Sequence, residues 1–177
     1  SAPRALTPGE EAGRVRDRHD RRGGRMKYHH FGSGRYVLRL EPGEEVVGAI
    51  ATFAQERGVH AGWVTGLGSV DHAVLGFLDP KERVYLKRTF DERMEIGSLT
   101  GNIGLNADQA ACHLHATLSP RELIAYAGHL HEARVAVVVE LFVVAMQGSL
   151  TRVVDPTTGF GRLLFPGETP PAPPTGG

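Results

Sequence analysis

Two His-Leu-His triplets lie close together in the second half of this 177-residue chain, at positions 113–115 and 129–131. In a β-strand, alternate side chains share one face and lie about 6.5–7 Å apart along the backbone. Each triplet in a strand would therefore present two imidazoles on one face. Imidazole binds zinc and also suits iron, nickel and copper. The pattern indicates a metal site, and the alternatives are polar residues on a solvated sheet face or histidines at the edge of the core with satisfied hydrogen bonds.

The residues around the triplets favour two neighbouring strands. The face opposite His113 and His115 consists of Cys112, Leu114, Ala116 and Leu118. An apolar face of this kind packs on the core, so the two histidines should point away from it. His129 and His131 repeat the arrangement, and the segment 119–122 can return the second strand beside the first. We therefore predict a hairpin that gathers three or four imidazoles.

Glu140 is a charged residue inside the apolar stretch Val135–Met146. We expect it to be buried, and a buried carboxylate must be paired or protonated. It could orient a liganding imidazole or act as a general base, which makes it a weak catalytic candidate. An ion pair with Arg39 or Arg134 explains it equally well. Glu95 raises the same question more weakly.

The net charge of zero conceals an uneven distribution. Residues 1–25 carry seven arginines and four acids (+3), whereas residues 26–165 carry 13 Lys/Arg and 15 Asp/Glu (−2). We interpret residues 1–25 as a disordered arm, either a solvated tail or a weak contact for DNA phosphates. Its candidate nucleic-acid contacts are Arg14, Arg16, Arg18, Arg21, Arg22 and Arg25. The globular part shows no helix-turn-helix or zinc-finger pattern.

The elements that must position the histidines are mostly strands. Apolar residues at helical spacing predict one amphipathic helix over 44–57. Short β-forming stretches predict strands at 28–31, 36–40, 60–70, 73–78, 84–90, 95–103, 111–118, 124–130 and 135–146. An early helix followed by a run of strands predicts an α+β domain with a mainly antiparallel sheet, spanning residues 26–165. Residues 166–177 are rich in proline and glycine and are interpreted as a disordered tail.

Composition narrows the cellular setting. Cys112 is the single cysteine, so no internal disulfide or cysteine-rich zinc motif is expected, and a reducing cytoplasm fits best. The longest apolar run, residues 135–146, is shorter than the roughly 20 residues that a membrane helix needs. We therefore expect no membrane partner.

Six short blocks follow one another along the chain: RLEPGEE (39–45), GWVTGLGS (62–69), MEIGSLTGNI (94–103), CHLH (112–115), GHL (128–130) and VELF (139–142). In these blocks the chain resembles the PPC (plant and prokaryote conserved) domain family, whose prokaryotic members are commonly labelled DNA-binding. The resemblance implies an antiparallel sheet with a packed helix, assembled as a homotrimer. It also implies a divalent, zinc-like metal held by His113, His115 and His129, with His131 as a lower-ranked fourth candidate. The fold is similar to that of acetolactate decarboxylase, which holds zinc with three histidines.

Three function classes remain open at this level. The first is a trimeric metal-binding protein that also binds nucleic acid in a regulatory role. The second is a metal-dependent hydrolase or lyase acting on a small carbonyl substrate, since a zinc-bound water can reach a pKa near 7. The third is a trimeric scaffold that the metal stabilises. An AT-hook is not expected, because residues 21–25 (RRGGR) lack its Arg-Gly-Arg-Pro core.

Overall fold

The computed structural model describes residues 16–17, as backbone only, and residues 26–172. Of the arginines assigned to the basic arm, Arg16 lies in a short strand with Asp17. The others, Arg14, Arg18, Arg21, Arg22 and Arg25, lie outside the described residues, as does the end of the Pro/Gly-rich tail after residue 172.

The described residues form one α-helix and a ten-stranded sheet. The elements are β1 (Arg16–Asp17), β2 (Lys27–His30), β3 (Arg35–Leu40), α1 (Val46–Arg57), β4 (Gly62–Asp79), β5 (Val84–Phe90), β6 (Met94–Asn106), β7 (Gln109–Ser119), β8 (Tyr126–Ala145), β9 (Thr151–Val154) and β10 (Gly161–Leu164). All strand pairs are antiparallel except β6 with β9. The predicted α+β class with a mainly antiparallel sheet is confirmed.

Helix α1 begins at Val46, two residues after the predicted start at residue 44. Glu45 is the N-cap, and its carboxylate accepts hydrogen bonds from the backbone N–H groups of Val47 and Gly48. This satisfies two of the amides that a helix start leaves free. Gly58 ends the helix in the left-handed conformation (φ 63°), as expected of a C-terminal glycine. The helix has 12 residues, and no helix in the described residues is long enough to cross a membrane.

The apolar stripe of α1 packs on one face of the sheet. Val46, Ile50 and Phe53 are almost wholly buried, in one cluster with core residues of the sheet. Burying a side chain as large as Phe53 contributes about 1.5–3 kcal/mol to stability. The helix contacts β7 and β8, the two strands that carry the His-Leu-His triplets. The helix therefore supports these strands from the face opposite the histidines.

Four strands pair in a closed circuit. Strand β4 pairs with β6 and β8, and β7 pairs with the same two strands. The strands predicted at 60–70 and 73–78 are one strand, β4, and those at 124–130 and 135–146 are one strand, β8. The pairing of β4 with β8 shifts register between Gly68 and Val70, between Val70 and His72, and between Val74 and Leu75. Such shifts are typical of β-bulges, in which one strand accommodates an extra residue while the pairing continues.

Candidate metal centre

The predicted hairpin between the two triplets is present. Strands β7 and β8 pair antiparallel, and His115 lies directly opposite His129. The turn between them follows Pro120, whose carbonyl accepts a hydrogen bond from the backbone N–H of Leu123 at 3.0 Å. The register thus brings one histidine of each triplet side by side.

The alternation in β7 places its histidines as expected. Leu114, Ala116 and Leu118 are buried in the core. His113 is partly buried and His115 is exposed on the other face. This pattern follows from the period of two in a strand, with one face in contact with α1.

Three imidazoles converge at this point. Each of His113, His115 and His129 has one ring nitrogen within 4.8 Å of the corresponding nitrogens of the other two. The ring centroids are 5.3 Å apart for His113 and His115, 5.1 Å for His113 and His129, and 5.6 Å for His115 and His129. Nitrogens bound to one tetrahedral ion at 2.0–2.1 Å lie roughly 3.4 Å from one another. Small rotations of the side chains would close the remaining distance.

Burial and nearby positive groups favour the neutral form of His113 and His129, which is the form that binds metal. Burial lowers the pKa of His129 to about 4, and the nearby His131, His113, His115 and Arg152 act in the same direction. Burial also lowers the pKa of His113, assisted by Arg152 and His115. The Nδ1 atom of His129 is buried and has no hydrogen-bond partner within the described part of the chain. A neutral, unpartnered imidazole nitrogen fits a metal ion as its missing partner.

His131 is close to the cluster but does not belong to it. Its ring lies 4.5 Å from that of His129, yet only the other three histidines meet at one point. The His131 ring packs edge-on against Tyr85, with the centroids 4.9 Å apart. Its Nε2 occupies the space beside Gly76, where a Cβ atom would collide with it. The set that could hold one ion is therefore His113, His115 and His129, of which His115 is exposed.

The prediction that Glu140 is buried is wrong. Glu140 is exposed, because the residues of β8 that face the core here are Val139, Leu141 and Val143. It lies opposite Leu67 and Arg39, whereas His129 lies eleven residues earlier at the other end of the strand. At about 3.3 Å per residue, this is roughly 35 Å along β8. Glu140 is thus too distant to orient a liganding imidazole, and its two suggested partners pair elsewhere, Arg39 with Glu41 and Arg134 with Asp71.

Neither Glu95 nor the single cysteine supplies an acid or a nucleophile to the centre. Glu95 is exposed and lies opposite Ser119 on β7, away from His113 and His115. Burial raises the pKa of the Cys112 thiol to about 12. The thiol therefore stays protonated near neutral pH, and the protonated form is not the nucleophile.

Arg152 is a residue of this region that sequence patterns did not reveal. It lies in β9, which pairs in parallel with the end of β6. Its Nη2 donates a hydrogen bond to the Oδ1 of Asn102, and Asn102 lies opposite His113. Its charge lowers the pKa of both His113 and His129. The position follows from the non-local β6–β9 pairing, for which the sequence offers no local signal.

The fold and the cluster together define a class: an α+β domain in which a β-hairpin presents three convergent imidazoles with an accessible side. The chain belongs to the Plants and Prokaryotes Conserved (PCC) domain family, whose model matches residues 29–147. This is the PPC domain that the sequence blocks resembled.

Several solved structures are similar to this chain. A candidate DNA-binding protein from Bacteroides thetaiotaomicron is 32% identical with a TM-score of 0.76, covering 79% of this chain and 97% of that one. A metal-containing protein from Archaeoglobus fulgidus is 34% identical with a TM-score of 0.70, covering 77% and 97%. A plant- and prokaryote-conserved (PPC) protein from Pyrococcus horikoshii is 27% identical with a TM-score of 0.64, covering 67% and 82%.

A curated relative matches over a shorter part of its own length. The bifunctional protein GlmU of a Synechococcus species is 29% identical over 144 residues. The match covers 78% of this chain and 22% of that protein. The chain thus spans less than a quarter of this relative.

Proposed function

We propose that this PPC-family protein binds one divalent transition metal, with zinc as the first candidate, through His113, His115 and His129. The observation that carries the proposal is the convergence of three imidazole nitrogens within 4.8 Å. Three histidines and an open position are a common arrangement for catalytic or exchangeable zinc. The likeness to a metal-containing protein at 34% identity adds support.

The test is the metal affinity of purified full-length protein. Zinc binding is measured by competition with a chromophoric chelator for the wild type, His113→Ala and His60→Ala. His60 is an exposed histidine outside the cluster and serves as the matched control. The proposal predicts tight binding by the wild type and His60→Ala, and a loss of affinity in His113→Ala. Equal affinity in all three proteins would reject it.

The proposed assembly is a homotrimer, as the family resemblance implies. An apolar patch on the sheet face opposite α1 supports self-association. Trp63 is 52% exposed and lies opposite Val144, and Phe142 on the same face is 51% exposed. Leu67 continues the patch along β4. Contiguous exposed apolar surface of this kind marks interaction sites.

Nucleic-acid binding is a second candidate. It is favoured by the likeness to a candidate DNA-binding protein at 32% identity and by the +3 balance of residues 1–25. Residues 26–165, at −2, offer little for phosphate neutralisation. Fluorescence anisotropy with duplex DNA at low and moderate salt, with and without residues 1–25, tests this. We expect binding to weaken with salt and with truncation. A truncated protein that binds as tightly as the full chain would contradict the assignment of binding to the arm.

A further inference from the structure

Among the described residues, the side chains whose charges act on His113 and His129 are Arg152 and other histidines, and none is a carboxylate. Arg152 makes no ion pair within the described residues, and its Nε is buried without a hydrogen-bond partner there. Glu45, the acid that acts on the neighbouring Cys112, is already bound by the backbone N–H groups of Val47, Gly48 and Ala133. Arg152 is therefore a cation without a paired anion among the described residues.

A metal ion at the cluster would increase this imbalance. The ion would bring two positive charges and Arg152 one, while the three histidine ligands are neutral. Concentrated charge in a partly buried site is unfavourable unless it is paired. Because the described protein groups do not provide the counter-charge, a bound ligand is the natural source of it.

The geometry favours a small ligand with an oxyanion group. The guanidinium of Arg152 is held by Asn102, which lies directly across from His113 on the neighbouring strand. A held guanidinium loses less entropy when it binds an anion, and its fork of donors matches carboxylate and phosphate oxygens. On the β5 side, Tyr85 packs against His129 with the ring centroids 5.0 Å apart and also contacts Phe160. These rings limit the space beside His129.

We propose that Arg152 is the anion anchor of this centre, binding the carboxylate or phosphate group of a small ligand whose other donor atom completes the coordination of the metal. The inference rests on the proposed metal binding by His113, His115 and His129. Asn102 is the positioning residue, since it holds the guanidinium that contacts the ligand.

The experiment uses full-length protein loaded with Co²⁺, whose visible absorption reports changes in coordination. Pyruvate and inorganic phosphate probe the two oxyanion classes, and pyruvamide is the neutral counterpart of pyruvate. The variants are Arg152→Gln, Arg152→Lys and, as a matched control, Arg162→Gln on β10, whose side chain pairs with Asp155. Cobalt affinity is measured separately by chelator competition, and circular dichroism verifies folding.

We expect at least one of the two anions to bind wild type and Arg162→Gln about tenfold or more tightly than Arg152→Gln, since a charge-assisted hydrogen bond contributes about that much. Arg152→Lys should be intermediate and keeps the test valid if Arg152→Gln does not fold. Cobalt affinity should not fall in either Arg152 variant. The ratio of the pyruvate and phosphate affinities then identifies the oxyanion class.

Two kinds of failure are distinguishable. If cobalt binds but anion affinity is the same with and without Arg152, or pyruvamide binds as well as pyruvate, the anion anchor is wrong and the metal site stands. If the wild type does not bind cobalt, the proposed metal function falls and the inference with it.

Discussion

His115 on β7 lies directly opposite His129 on β8, with the ring centroids 5.6 Å apart. The pairing joins residues 14 positions apart through a hairpin whose core face is apolar, so its register is fixed by the buried leucines of both strands. A slip by one residue would turn the histidines into the core. The convergence of the imidazoles is thus a consequence of how the core packs.

Substitution within the second triplet should separate the metal ligand from its neighbour. We expect His129→Ala to weaken zinc binding by about a hundredfold or more, since losing a ligand exceeds the 10–100-fold effect of outer residues. His131→Ala should retain binding within about tenfold, because His131 lies outside the convergent set. Chelator competition measures both. A larger loss for His131→Ala than for His129→Ala would mean that the ligand set is wrong.

A glycine on β6 should be needed for the approach of β7. A Cβ atom at Gly101 would collide with the backbone carbonyl of His113, whereas one at Gly97 would meet only Thr117 O at 3.8 Å. We expect Gly101→Ala to destabilise the protein by roughly 1–3 kcal/mol through overpacking and to weaken zinc binding. Gly97→Ala, on the same strand, is the control. Urea unfolding measures the difference, and equal midpoints for the two variants would refute the prediction.

The metal-free protein should lose stability as the pH falls from about 6.5 toward 4. The folded-state pKa of His129 is about 4, below its ordinary value of 6.5. Between these values the unfolded chain binds more protons than the folded one, so the free energy of unfolding rises with pH. Above pH 6.5, His129 no longer lowers the free energy of unfolding, because it is neutral in both the folded and the unfolded chain. Urea midpoints with EDTA present should fall less steeply for His129→Gln than for the wild type; identical slopes would contradict this.

The apolar patch should control self-association. We expect Phe142→Glu to shift the protein from trimer toward monomer, because it places a charge within the proposed contact. Leu86→Glu is the control, since Leu86 is 56% exposed on β5, away from the patch. Sedimentation equilibrium measures the mass. A wild type that is already monomeric, or a Phe142→Glu protein that stays trimeric, would contradict the proposed assembly.

Local patterns predicted much of the fold and the hairpin. The alternation in β7 placed Leu114 in the core and His113 outside it, and the stripe of α1 identified its buried residues. For Glu140 the same reasoning failed, because both faces of that part of β8 are apolar. Periodicity cannot say which of two apolar faces the helix covers. The uncovered face is the one that carries Phe142.

The remaining differences come from pairing between distant segments. The register shifts between β4 and β8 depend on how the two strands pair with each other. In each sequence taken alone, the residues at these shifts resemble the end of one strand and the start of another. Arg152 reaches Asn102 across 50 positions through a short parallel pairing. Neither leaves a periodic signal in the sequence.

Crystals of the full-length protein grown with zinc, with anomalous diffraction recorded on both sides of the zinc absorption edge, would locate the ion. We expect one anomalous peak per chain, at about 2.0–2.1 Å from one nitrogen each of His113, His115 and His129. Absence of a peak between these three rings in zinc-saturated crystals, or a peak held by other residues, would contradict it.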